Sequence, residues 1–345
     1  MPNSRPARNR VTISDIAERA GVSIGAVSFA LNGRKGVSDQ TRDRVQRIAR
    51  EMGWAPASAA RSLAEAKTAT VGLVLARDPR TLGIESFYMR FLSGLEEELA
   101  RRAYSLLLQL VPSNEAAVET LRMWRDSRRV DGVLLTDVVD DDPRIDMFGS
   151  DVPAVVVGDP SVADGLHCVW TDDATSMRES VRYLAALGHR RIARVAGPEG
   201  LAHTRIRDEA FAVETGTMGL EPVLLRTDYT AQAGAAAIRS ALTAPEPPTA
   251  IVTDNDIMAV AGLTVAHGLG LRVPDDVSII AWDDSVLCEH TFPTLTALSH
   301  DVISFGANVG RRLFAAIDGE PADAVLDSTP RLIARGSTGP MRRAD

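Results

Sequence analysis

Between Ala20 and Ser23 only Gly21 and Val22 are available to carry the chain out of one helix and into the next. The stretch ISDIAERA puts Ile13, Ile16, Ala17 and Ala20 on one face by spacings of three and four. Thr12 and Asp15 are placed to form a capping box at its start. Gly21 supplies the left-handed stop, and Ser23 is positioned to cap the following helix, SIGAVSFALNG. Two helices joined this tightly cannot lie antiparallel. They cross steeply, with Ala17 and Ala20 small enough to permit it and Val22, Val27 and Leu31 filling the angle, which is a helix-turn-helix. A third helix, TRDRVQRIAREMG, follows the loop NGRKG, with Ser38 as its cap and Asp39 at the positive end of its dipole. Its period turns Val45, Ile48 and Met52 inward and Arg42, Arg44, Arg47 and Arg50 outward.

Charge supports a separate role for this end. Residues 1–67 carry 12 Lys/Arg against 6 Asp/Glu, whereas the rest carries 26 against 40, within a chain of 345 residues and net charge −8. The pattern is that of an anion-binding head on an acidic body. Residues 1–10 read as a flexible basic tail, 11–56 as the helix-turn-helix domain and 57–67 as a hinge. In the hinge Pro56 stops the third helix, and ASAARSLAEA is too short to hold a helix alone in water. It is expected to fold against a partner, with Leu63 as its one large apolar residue and a candidate wedge for a DNA minor groove.

From residue 68 the pattern alternates strand and helix. Val71–Ala76, Ser105–Leu110, Gly132–Leu135, Ala154–Val157, Ile192–Val195, Ala250–Val252 and Val277–Ala281 are expected to be buried parallel strands. Amphipathic helices lie between them, as in MRFLSGLEEELARR and DNDIMAVAGLTVAHGLG, giving an α/β body long enough for two lobes. Lobe 1 is assigned to about 68–168 and 299–327, and lobe 2 to about 169–298 and 328–338. The stretch DSVLCEHTFPTLTALS is read as the crossing back into lobe 1, and residues 339–345 as a disordered tail. Ligands in such folds bind outside the carboxyl ends of the strands, here between the lobes.

Several function classes are excluded at this level. No glycine fingerprint joins a strand to a helix, and no GxxxxGK[ST] loop occurs. The Asp pairs at 172–173 and 283–284 have no partnered nucleophile or acid, so no enzyme, metal or cofactor is expected. Cys168 and Cys288 are far apart and read as buried free thiols. No run approaches the ~18 apolar residues of a membrane span, and no apolar segment follows the charged start. A cytoplasmic protein without a membrane partner is expected.

The run VTISDIAERAGVSIGAVSFALNG, with VSDQTRDRVQRIAREMGW and AARSL, resembles the DNA-binding headpiece of LacI/GalR-family transcription regulators over residues 11–63. The resemblance extends into a periplasmic-binding-protein-like body through SFYMRFLSGLEEEL, GHRRIARVAG, TRIRDEAF, TDNDIMAVAGL and VPDDVSIIAWDDS. The fold it implies is a small all-α helix-turn-helix headpiece plus an α/β two-lobed periplasmic-binding-protein-like effector domain. By that resemblance Ser23–Asn32 is the recognition helix, and Thr12, Ser23, Ser28, Asn32, Ser38 and Thr41 match phosphate-contacting positions. Ala60 and Leu63 match minor-groove positions of the hinge. Phe87 and Tyr88 match an aromatic pair at the cleft rim, and Arg207, Asn255, Trp282 and Asp283 match effector contacts. The implied partners are near-palindromic double-stranded operator DNA, a second copy of the chain in a homodimer, and a small-molecule effector, expected to be a sugar.

The chain departs from the family where bases are read. Thr is replaced by Ala26 and Arg by Phe29, beside Ile24 and Gly25. None of these can reach a guanine with the bidentate hydrogen bonds of an arginine. Apolar side chains read thymine methyls instead, so specificity is expected from those contacts and from a kink at the operator centre. The segment RDPRTLGIE is longer than the usual first loop, so contacts there cannot be carried over. Two alternatives stay open: a sugar-binding protein without regulatory DNA binding, and a regulator dependent on a purine-type corepressor.

Overall fold

Thr12 and Asp15 close a capping box at the start of α1 (Ile13–Ala20): the hydroxyl accepts from the Asp15 amide at 3.4 Å and the carboxylate from the Thr12 amide at 2.8 Å. Gly21 ends the helix at φ +63, a conformation glycine enters without strain. Ser23 caps α2 (Ile24–Leu31) and Ser38 caps α3 (Asp39–Glu51). Ile16, Ala17, Ala20, Val27, Ala30, Val45, Ile48 and Ala49 form one small core, with Val22, Leu31, Met52 and Trp54 packed around it. Ala49 is buried where Met52 was expected, because Met52 lies one residue past the helix and covers the edge.

The computed structural model describes residues 11–54, 67–77, 79, 85–149 and 151–341. It divides into two units, Met1–Thr68 and Ala69–Asp345. The basic tail, Ala60, Leu63 and most of the hinge and of the long first loop lie outside the described residues.

The second unit contains two six-stranded sheets. Lobe 1 runs through β1 (Thr70–Ala76), α4 (Ser86–Arg101), β2 (Ser105–Val111), α5 (Asn114–Asp126), β3 (Gly132–Leu135), α6 (Pro143–Asp146), β4 (Ala154–Val157) and β5 (His167–Thr171). Lobe 2 takes α7 (Asp173–Ala186), β6 (Arg191–Ala196), α8 (Ala202–Thr217), β7 (Glu221–Arg226) and α9 (Ala231–Leu242). It continues through β8 (Ala250–Thr253), α10 (Asp256–Gly268), β9 (Ser278–Trp282), α11 (Val286–His290) and β10 (Thr296–Ser299). The chain then returns to lobe 1 for α12 (Val302–Ile317) and β11 (Ala324–Ser328), and to lobe 2 for β12 (Arg331–Ile333). The sheet orders are β11-β5-β4-β3-β1-β2 and β12-β10-β9-β8-β6-β7. Every pairing is parallel except that of β12 with β10.

Burial on both faces explains why the inner strands read as unbroken apolar runs. Along β1, Val71, Leu73 and Leu75 pack under α4 and α12, while Val74 packs with Trp124 of α5. On the outer face α4 and α12 cross with their backbones almost touching. A Cβ on Gly94 would lie 1.8 Å from the Ile303 carbonyl oxygen, and one on Gly306 would lie 2.1 Å from that of Phe91.

Four expectations are corrected. β2 is an edge strand and half exposed, so Ser105–Leu110 is not a buried strand. Residues 284–299 stay in lobe 2 as α11 and β10, and the crossing into lobe 1 follows Ser299. The other crossings fall after Thr171 and Ser328, because β5 and β11 pair to those residues. Residues 339–341 are not a loose tail. Gly339 donates its amide to Ser278 at 3.2 Å and Met341 to the Leu187 carbonyl at 2.9 Å, after Ser337 has donated to the Ile279 carbonyl at 2.6 Å. Cys168 and Cys288 are buried free thiols. Among the described residues no helix is long and apolar enough to cross a membrane.

Candidate functional sites: a helix face and an interlobe cavity

In the first unit α2 turns Val27 and Ala30 into the core and leaves Ser23, Ile24, Gly25, Phe29 and Asn32 exposed, with Ala26 and Ser28 half-buried. Ile24 is 56% exposed and Phe29 39%. Phe29 does not enter the core: its ring lies over Gly36, where a Cβ would come within 2.9 Å of it. Arg42 of α3 donates to the carbonyls of Phe29 and Arg34, tying the loop to the end of α2. The Asn32 amide reaches the Ser28 hydroxyl at 3.4 Å. Thr12, Ser23, Ser38 and Thr41 all sit at helix N-termini, where amides and hydroxyls together favour phosphate oxygens.

In the second unit the lobes enclose a cavity of about 160 Å³ at the carboxyl ends of β1, β3, β4, β5, β8, β9 and β10. Voids of roughly 150 Å³ hold one six-membered ring. All six effector-site candidates line it: Phe87, Tyr88, Arg207, Asn255, Trp282 and Asp283. Their environments differ. Phe87 is half-buried and stacked on Phe91 at 6.0 Å. Tyr88 lies deeper than a rim position, 5% exposed, with its hydroxyl donating to Asp137 at 2.7 Å. Arg207 spreads its guanidinium 3.8 Å above the Trp282 ring and donates to Asp173 at 2.7 Å and Asp254 at 3.4 Å. Trp282 is therefore both core and wall. Asn255 is committed to the fold: it caps α10 by accepting from Met258 and donates to the Tyr229 carbonyl at 3.0 Å.

Asp283 occupies the left-handed region at φ +66, and no hydrogen bond to its carboxylate is found among the described residues. Burial, with Asp256 and Asp173 adding repulsion, pushes its carboxyl up to about 7 against the attraction of Arg207. The folded chain thus holds a proton there that the unfolded chain has released above about pH 4. Stability from this group is full below that pH and is lost as pH rises through about 7. The ligand-free Asp283→Asn chain is expected to melt higher than the parent, by a margin that grows between about pH 5 and about pH 8. Melting curves at both ends check this. A margin independent of pH would contradict the assignment.

Residues that sequence reasoning missed complete the walls. Arg77, Glu85, Thr136, Asp137, His203 and Tyr229 all face the cavity. Arg77 and Asp137 were within reach of the rule that ligands gather at strand ends, since VLAR and LLTD each run from a buried strand into polar residues. His203 and Tyr229 carry no such signal, because they come from a helix start and a loop after an edge strand. They share a hydrogen bond at 2.7 Å, and burial, aided by Arg207, holds the His203 imidazole down to about 4 and neutral. Asp254 pairs with Arg194 and Arg207, and Asp284 with Arg335. Asp159 caps a short 3-10 turn, Pro160–Val162. Contacts across the cleft include Ser86 with Asp256 at 3.2 Å, Arg90 with the Asp284 carbonyl at 3.1 Å and Arg205 with Asp140 at 2.8 Å.

A helix-turn-helix head on a two-lobed body with a polar cavity defines a ligand-responsive DNA-binding regulator. Residues 12–57 match the bacterial regulatory proteins, lacI family, and residues 181–338 match the periplasmic binding protein-like domain. The chain is 32% identical to the HTH-type transcriptional regulator CelR of Thermobifida fusca, over 92% of this chain and 95% of that protein. A solved CelR–cellobiose complex superposes with a TM-score of 0.72 at 30% identity, covering 95% of this chain and all of that one. The lac repressor dimer bound to operator and the anti-inducer ONPF superposes with a TM-score of 0.85 at 25% identity, covering 96% and 100%. This chain belongs to the LacI family and is a DNA-binding transcription regulator.

Proposed function

We propose that this regulator is a repressor that binds its operator as a homodimer and that a neutral sugar in the interlobe cavity sets its operator affinity. The observation that carries the reading is a cavity lining that mixes hydrogen-bonding and aromatic side chains. Arg77, Glu85, Thr136, Asp137, His203, Arg207 and His300 supply the polar part of it. Donors and acceptors set beside the rings of Phe87, Trp170, Tyr229 and Trp282 suit a ring bearing several hydroxyls. Arg77 and Arg207 face seven carboxylates, those of Glu85, Asp137, Asp159, Asp173, Asp254, Asp256 and Asp283, which disfavours a phosphorylated effector. The similarity to a regulator solved with cellobiose supports the same ligand class.

Thermal-shift screening of the full chain against sugars, cyclitols and purines tests this, with each hit repeated in an operator-binding assay. A sugar that raises the melting temperature and changes DNA affinity is expected. A purine as the sole stabilising ligand would overturn the sugar assignment. A dimer places two α2 helices on successive major-groove turns, roughly 34–36 Å apart. With Ile24 and Phe29 exposed on that helix, selected operators are expected to be thymine-dependent in each half-site. The Phe29→Arg chain should gain a guanine preference at one position, worth about 1–3 kcal/mol. Half-sites that already depend on a guanine beneath this helix would refute the apolar readout.

A further inference from the structure

The chain crosses between the lobes after Thr171, Ser299 and Ser328, among β5, β10, β11 and β12 at one side of each sheet. Residues 136–142 join the lobes again, away from those crossings. They run from β3, fourth in its sheet, to the start of α8, which follows β6, fifth in the other. Within this loop two successive residues belong to different cores. Val138 is buried in the lobe 1 core with Trp124 and Ile145, whereas Val139 packs against the lobe 2 core that holds Val195, Leu201 and Ile238. The Val138 carbonyl accepts from the Ala202 amide at 2.9 Å, and Val139 forms an antiparallel bridge with Leu201. Ala202 opens α8, so its amide has no acceptor within its own helix.

One buried side chain gives the loop its shape. Arg144, 3% exposed, donates from Nη2 to the Thr136 and Asp137 carbonyls, both at 3.1 Å, and to the Asp142 carboxylate at 2.6 Å. Asp142 is buried as well and accepts from the Val139 amide at 3.2 Å. Asp137 and Asp141 lie in the left-handed region at φ +50 and +53, which an aspartate keeps only where its surroundings impose it. We propose that Arg144 is a positioning residue for lobe closure: it shapes residues 136–142 into a strap that holds the lobes together away from their chain crossings. Opening the cleft about those crossings draws Val139 out of the lobe 2 core and frees the Ala202 amide. The same strap sets Asp137 in the cavity wall, where it accepts from Tyr88 and pairs with Arg77. An effector that meets Asp137 in this arrangement therefore favours closure. The inference requires only that an effector enters the cavity, and its test uses no ligand, so it stands or falls apart from the sugar reading.

The test compares the full-length parent with two variants. Asp142→Asn combined with Arg144→Gln removes both charges, so that neither is stranded, and Val139→Ser removes the foot of the strap while leaving Arg144 and Asp142 intact. Amide hydrogen exchange is followed at Ala202. The distance between the lobes is read from spin labels at Glu119→Cys and Glu246→Cys, exposed sites in lobe 1 and lobe 2, with Cys168 and Cys288 buried and unlabelled. Expected in both variants is exchange at Ala202 faster by at least about tenfold, with the amides of β3 and β6 unchanged, which separates release of the strap from general unfolding. The label distances should broaden and shift in both. Exchange within about twofold of the parent in both variants overturns the strap. Faster exchange with unchanged label distances overturns it too, because the loop would then loosen without moving the lobes. A response in Val139→Ser alone overturns the role of Arg144.

Discussion

The Asp254→Ala chain is expected to lose about 3–5 kcal/mol of stability, the scale of removing one partner of a buried ion pair. Arg194 is fully buried and donates to Asp254 at 2.6 and 3.1 Å and to Asp208 at 2.7 Å. The Asp254 carboxylate also accepts from the Gly197 amide at 2.9 Å. Burial alone would raise its carboxyl, but Arg194 and Arg207 overcome that and hold it down to about 2. Its contribution is therefore present above about pH 4 and disappears as pH falls through about 2. Denaturant titration at neutral pH checks the loss, and Arg194→Met in the same chain should return part of it by removing the stranded cation. A loss below about 1 kcal/mol would mean that solvent reaches the pair. Arg207 shares this carboxylate, so effector affinity should fall in parallel.

Gly306→Ala and Gly94→Ala are expected to cost about 3 kcal/mol or more, at the upper end of overpacking. The added methyl would sit 2.1 or 1.8 Å from a backbone oxygen, and no rotamer change can relieve that. α4 and α12 must move apart, and α4 carries Phe87 and Tyr88 into the cavity wall. Both melting temperature and effector affinity should drop. Gly310→Ala serves as the contrast: its added methyl would lie 2.9 Å from the Glu98 Cβ, a wider approach than at the other two and not against a backbone oxygen, so the loss should be smaller. Equal losses at the three positions would show that the close approach of the backbones is not the cause.

The head was legible because its signals are local. Thr12, Gly21, Ser23 and Ser38 each state a helix end within three residues, and the short link between α1 and α2 leaves one way to pack. Of the inner strands, β1, β3, β4, β6, β8 and β9 were legible because both of their faces are buried, whereas β5, HCVWT, was missed because a histidine and a threonine bound its short apolar run. β7 was missed because EPVLLR, at a sheet edge, holds only three apolar residues in a row between a proline and an arginine, and β10 to β12 because each is only three to five residues long. At the cavity, family resemblance named residues on motifs, and all six line it. It could not show that Asn255 is committed to capping α10, nor find His203 and Tyr229, which meet through a hydrogen bond at 2.7 Å. That contact is a property of two elements brought together, the start of α8 and the loop after β7, and no spacing in the sequence encodes it.

The repeated crossing between lobes has a consequence for synthesis. The first sheet is completed only when β11 pairs with β5 at residues 324–328, and the second only when β12 joins β10 at 331–333. The core of α1 to α3 needs nothing beyond Trp54. On the ribosome the head can therefore assemble while most of the chain is still unmade, whereas both lobes wait for its final tenth. A chain released late in the reading frame would therefore hold a complete head core and two sheets that each lack an edge strand.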